Sequence, residues 1–126
     1  MPSYANSQPP IALAPGDVGF SFSSEDVPSS ATAGSQFALV RPAAAGGQSG
    51  YTVRWQTLFA VAPTAINVSL QGAMADVDSE YKDLDTSTNV NGEAKTVSGV
   101  QAKFLRLRVN SSTVGSGSGF TAKLLV

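Results

Sequence analysis

Asp76-Val77-Asp78-Ser79-Glu80 is the stretch in which carboxylates are spaced so that they could converge. Alternate acidic residues can close on a hard cation such as calcium. An EF-hand loop begun at Asp76 would need Gly where Tyr81 stands and a bidentate Glu where Ser87 stands, so the segment departs from that motif twice. Two of these carboxylates could instead serve as acid and base in glycoside cleavage. In so short a chain, loop carboxylates read as surface charge, and no metal, cofactor or catalytic residue is assigned to them. Histidine and cysteine are absent. Their absence removes the usual general base near neutral pH, the Ser-His-Asp arrangement, thiolate catalysis, disulfides and sulfur-ligated metals. A non-enzymatic protein is expected.

Binding chemistry has better candidates. In the run Lys103 to Val109, period-two alternation sends Leu105, Leu107 and Val109 to the core and Phe104, Arg106 and Arg108 to the outside. Arginine and aromatic residues are enriched in the buried centres of protein interfaces, so this stripe is either a contact surface or a strand face covered by another part of the chain. Ile11, Leu13, Val18, Phe20 and Phe22 form a second candidate set, too apolar for a solvated tail. Tyr51 and Trp55 could stack on sugar rings, but the alternating position of Trp55 marks it as core. The Gly-rich stretches 43–50 and 115–119 lack the Lys and following helix of a phosphate-binding loop and read as connectors.

The elements that must position these groups are strands. Val18, Phe20 and Phe22 alternate with Gly19 and Ser21 in a short strand. Gln36 to Val40 is an apolar run closed by Arg41-Pro42. Tyr51 to Val61 is the longest alternation, with Tyr51, Val53, Trp55, Thr57, Phe59 and Val61 on one face. Ile66, Val68 and Leu70 alternate up to Gly72, and the acidic segment leads through Tyr81 and Leu84 into a short strand. After the Asn89-Val90-Asn91-Gly92 turn come Ala94 to Val97, Lys103 to Val109 and Phe120 to Val126. About eight strands with turn signals at short intervals imply an all-β fold, an antiparallel β-sandwich of jelly-roll type. Five of the seven prolines fall in residues 1–35, which read as an extended N-terminal arm, with the sandwich over 36–126. On that division, residues 1–20 should be dispensable for folding.

Composition sets outer bounds. A chain of 126 residues can enclose one hydrophobic core. Only 13% of residues are charged, against about 25% in an average soluble domain, which favours strands and turns over charged helices. Eight basic residues nearly cancel nine acidic ones, so nucleic acid and membrane surfaces are not expected partners. Residues 1–17 carry neither a basic n-region nor a long apolar run, and the expectation is a protein that stays in the cytoplasm until it assembles. The glycosylation triplets at Asn67 and Asn110 then read as chance matches.

The order of elements from Ile66 to Val126 resembles the second half of discoidin-like jelly rolls. Leu70-Gln71-Gly72 precedes Asp78-Ser79-Glu80-Tyr81-Lys82-Asp83-Leu84, and the strand Lys103-Phe104-Leu105-Arg106 is followed by a Gly/Ser loop and a final strand. In size, in its Ala/Gly/Ser-rich composition and in lacking Cys and His, the chain also resembles small β-sandwich proteins of tailed bacteriophages, among them capsid cement or decoration proteins. That resemblance implies a virion protein assembled in the host cytoplasm. It would be a homotrimer that bridges capsomers of the major capsid protein, with Ile11, Leu13, Val18, Phe20, Phe22, Phe104, Arg106 and Arg108 in its contacts. The alternatives are a carbohydrate-binding module, as among the discoidin-like relatives, and a tail or fibre adhesion subunit.

Overall fold

The computed structural model describes residues 10–40 and 50–126. Nine strands form two sheets. They are β1 (Ile11–Leu13), β2 (Val18–Glu25), β3 (Thr32–Leu39), β4 (Tyr51–Leu58), β5 (Ala65–Ala73), β6 (Lys82–Ser87), β7 (Glu93–Val100), β8 (Phe104–Thr113) and β9 (Phe120–Leu125). One sheet runs β1-β3-β8-β5-β6 and the other β2-β9-β4-β7. Every pairing is antiparallel except that of β1 with β3. Leaving β1 aside, β2 to β9 alternate between the sheets in pairs of four, which is the double Greek key of a jelly roll.

The alternation in the sequence accounts for the core. Val53, Trp55 and Thr57 of β4 point inward beside Phe120, Ala122 and Leu124 of β9. They meet Val68 and Leu70 of β5 and Leu105, Leu107 and Val109 of β8, all of them buried. Facing sheets normally stand about 10 Å apart, the depth that two layers of such side chains fill.

The division into an arm over 1–35 and a sandwich over 36–126 is corrected by the strands themselves. Residues 1–9 lie outside the described residues, as do 41–49, which hold most of the stretch expected as a connector. From Ile11 onward the supposed arm supplies a strand to each sheet, β1 against β3 and β2 against β9. Removing residues 1–20 would take away β1 and cut into β2, so that stretch belongs to the folded body.

The sheets approach unusually closely where β2 crosses β3. A Cβ built on Gly34 would lie 2.6 Å from the Ser21 carbonyl oxygen, and one on Gly19 would lie 2.7 Å from the Phe37 ring. Each strand carries a bulge at this point, between Phe20 and Phe22 in β2 and between Ala33 and Gln36 in β3. The Ser21 hydroxyl fills the gap in the facing ladder. It accepts a hydrogen bond from the Leu107 backbone N–H at 3.0 Å and donates one to the Ser35 carbonyl at 2.8 Å. One side chain therefore stitches the two sheets together where no hydrophobic layer fits between them.

Ser21→Ala leaves the buried Leu107 N–H without its acceptor, and it should lower the unfolding free energy by about 1–3 kcal/mol. Urea denaturation should show a shifted midpoint at an unchanged slope.

Candidate interaction surface

The bulge at Ser21 decides where the apolar side chains of β2 go. Period two alone puts Val18, Phe20 and Phe22 on one face, but the structure separates them. Gly19 and Ser21 point into the narrow gap, and the extra residue then turns Phe22 inward, where its ring lies 4.9 Å from that of Phe120. Val18 and Phe20 are left on the outer face, 49% and 45% exposed. Ile11, 54% exposed on β1, completes the patch. With Ala12, Asp17 and Phe37 these residues line an open groove of about 400 Å³ between the two edge strands.

Two other members of the expected contact set are core residues. Leu13 and Phe22 are each 3% exposed and pack inside the sandwich, so neither is available to a partner. The stripe on β8 also needs correction. Phe104 and Arg108 are half-buried, and the Arg108 guanidinium donates to Asn110 Oδ1 at 2.7 Å. Arg106 is 5% exposed. Its alternation was read correctly, since it does point away from the core, but residues 74–81 fold back over the outer face of the sheet and cover it.

That cover absorbs the acidic segment. Asp78–Glu80 forms a 3-10 turn, and Asp78 Oδ1 pairs with the Arg106 Nη1 at 3.0 Å. The Arg106 guanidinium lies 4.0 Å from the centroid of the Tyr81 ring, and its Nε donates to Gln71 Oε1 at 2.9 Å. Gln71 Nε2 in turn donates to Asp83. The Tyr81 hydroxyl donates to Asp76 Oδ1 at 2.7 Å, and its pKa is pushed up by burial first and by that carboxylate second. Asp76, Asp78 and Asp83 therefore each bond a different side chain rather than facing a common point. Among the described residues no group of three His, Cys, Asp or Glu is arranged to hold a metal ion.

The opposite side of the sandwich, where β6 faces β7, is closed by polar groups. A bulge at Leu84 turns Asp85 inward while Asp83 stays outside. Asp85 accepts from the Trp55 indole Nε1 at 3.0 Å and pairs with Lys95 Nζ at 3.1 Å. Lys95 also donates to the Thr86 carbonyl, and Ser87 donates to Glu93. Trp55, 1% exposed, is thus committed to the core by both its ring and its N–H and offers no platform to a sugar. On the outer face of the five-stranded sheet, Asn67 and Asn110 occupy neighbouring strands, and Asn110 Nδ2 donates to Asn67 Oδ1 at 2.9 Å. The two Asn residues of the glycosylation triplets are thus partners of each other.

Sequence reasoning did not single out Arg54, Lys123, Met74 or Leu84. Arg54 and Lys123 lie on the outer face that carries Val18 and Phe20, and the Lys123 ammonium is 5.6 Å from the Phe20 ring centroid. Met74 is 73% exposed and Leu84 is 38% exposed. The positions of Arg54 and Lys123 could have been read from the alternation of β4 and β9. Met74 carries no comparable signal, because its exposure depends on where the β5–β6 connection lies.

No family model matches the chain, and the searches of curated proteins and of solved structures likewise return no match.

Asp85 supplies a pH dependence. Burial opposes its ionisation, but the hydrogen bond from Trp55, that from Lys95 and the Thr86 N–H outweigh it and hold the carboxyl below its ordinary range. A carboxyl lowered by folding stabilises the protein above its unfolded pKa, and the contribution is lost as pH falls through the folded value. Stability should therefore decline as the solution is taken below pH ~4, and Asp85→Asn should flatten that decline. Trp55 fluorescence followed through acid titration of both proteins reads the difference.

Proposed function

We propose that the chain is a non-enzymatic structural subunit of a virion, a capsid decoration protein that stabilises a phage head by bridging capsomers of the major capsid protein. The observation that carries this reading is the asymmetry of the two sides of the sandwich. The β6–β7 side is sealed by Trp55, Asp85, Lys95, Ser87 and Glu93. The β1–β2 side instead presents Ile11, Val18 and Phe20 to solvent. Contiguous exposed apolar groups on an otherwise polar surface mark a binding surface.

The manner of contact follows from the geometry of β2. A free edge strand can recruit another strand by backbone pairing. Here two irregularities interrupt the β2–β9 register, and Ser24 adopts a φ of 52°, so the edge is not a straight template. Docking through the side chains of the outer face is favoured instead. A subunit of this kind works by complementarity over an area, and a capsid lattice offers the same site many times. Assembly as a homotrimer suits a position where three capsomers meet.

The test uses undecorated capsids and the full chain. The double substitution Val18→Ser, Phe20→Ser alters exposed groups, so its thermal melting should match that of the unsubstituted protein, while capsid affinity should fall by about tenfold or more. Co-sedimentation with capsids measures the change. Unchanged binding by a folded double variant would reject the patch as the contact surface.

A further inference from the structure

Two exposed apolar features lie in different places and have opposite shapes. The first is a protrusion. Phe20 and Val18 stand out from the four-stranded sheet, with Lys123 against the Phe20 ring and Arg54 paired in register with Leu125, the neighbour of Val18. The outward positions of β2, β4, β7 and β9 on this face include those two cations and no carboxylate. Neither cation enters the Asp85–Lys95 or Asp78–Arg106 ion pairs.

The second feature is a hollow of about 460 Å³ at the end of the sandwich where the β5–β6 and β7–β8 connections meet. Met74 and Leu84 form its apolar walls, Ala102 lies beneath them, and Glu80 and Lys82 line its rim. The segment 74–85 that builds it carries five carboxylates against the one ammonium of Lys82. Asp78 is paired with Arg106 and Asp85 with Lys95, whereas Glu80 is exposed.

We propose that a second copy of this chain occupies each of these features: the Phe20 protrusion of one subunit seats in the Met74/Leu84 hollow of the next. The fit rests on three independent complementarities. An aromatic ring meets a flexible thioether and a leucine, a contact that sulfur and aromatic groups favour. The cationic surround of Phe20 meets the acidic lobe that carries Glu80. A protrusion meets a concavity, and neither feature is available to the other within one chain, because one lies on the outer face of a sheet and the other at an end of the sandwich. Since the two surfaces differ, the contact is heterologous, and it generates a closed ring or an open filament according to the rotation between subunits. The inference deepens the structural reading above by naming the partner of Val18 and Phe20.

Sedimentation velocity of the full chain over a wide concentration range tests it. The unsubstituted protein is expected to associate. Phe20→Ser, Arg54→Glu with Lys123→Glu, and Glu80→Lys should each weaken association by about tenfold or more while leaving thermal melting unchanged. An equimolar mixture of the Arg54→Glu/Lys123→Glu protein with the Glu80→Lys protein should associate again, because each altered surface then meets one of opposite charge. A monomeric unsubstituted protein, a Glu80→Lys protein that associates normally, or a mixture that stays monomeric would each overturn the proposal. A monomer that still binds capsids through Val18 and Phe20 would overturn this inference and leave the structural reading standing. Association that survives all three variants would place the contact elsewhere on the chain.

Discussion

Two β-sheets can come closer than their usual spacing only where no side chain stands between them, and this constraint at the crossing of β2 and β3 shapes the rest of the molecule. Gly19 and Gly34 leave no room for a Cβ, and Ser21 is the largest group that the gap admits. Its hydroxyl replaces a missing ladder partner by bonding both Leu107 and Ser35. A buried N–H without an acceptor costs more than a typical hydrogen bond contributes, so the bulges and the serine form one unit. Because the inward positions of β2 are taken by small residues, its large apolar residues must turn outward or pass the bulge. Val18 and Phe20 do the first and Phe22 does the second.

The far side of the sandwich solves the same closure problem with charge. There the sheets end in β6 and β7, and no further strand covers the core. Asp85 and Lys95 reach across the opening, with the Trp55 indole N–H as a third partner. A partly exposed ion pair contributes modestly by itself. Its role here is to satisfy the one polar atom of a buried tryptophan and to keep water from the apolar layer behind it. One side is therefore sealed by groups that need nothing further, and the other ends in groups that solvent accommodates poorly.

The acidic segment shows how a fold consumes apparent chemistry. Asp76, Asp78 and Asp83 come from a stretch whose spacing suggests a common target, yet each carboxylate bonds a different side chain. The Arg106 guanidinium organises this region, with Tyr81 against its face, Asp78 at its tip and Gln71 along its edge. An arginine so deeply covered is held by hydrogen bonds to several partners, as a buried charge requires. Residues 74–81 thus form a fixed lobe on the outer face of the five-stranded sheet, and that lobe leaves Met74 and Glu80 on the surface.

The sequence by itself determined the all-β sandwich, most of its strands and the inward set on β4, β5, β8 and β9, because side chains in an extended chain alternate whatever surrounds them. Trp55, Leu105, Leu107 and Leu124 were legible for that reason. Tertiary structure decided the fate of the N-terminal strands, the burial of Arg106 and the separation of Val18 and Phe20 from Phe22. Periodicity assumes one residue per register step, and a bulge breaks that assumption at a place fixed by a strand of the facing sheet. Covering is equally non-local: alternation sends Arg106 outward, but only the path of residues 74–81 determines that water does not reach it.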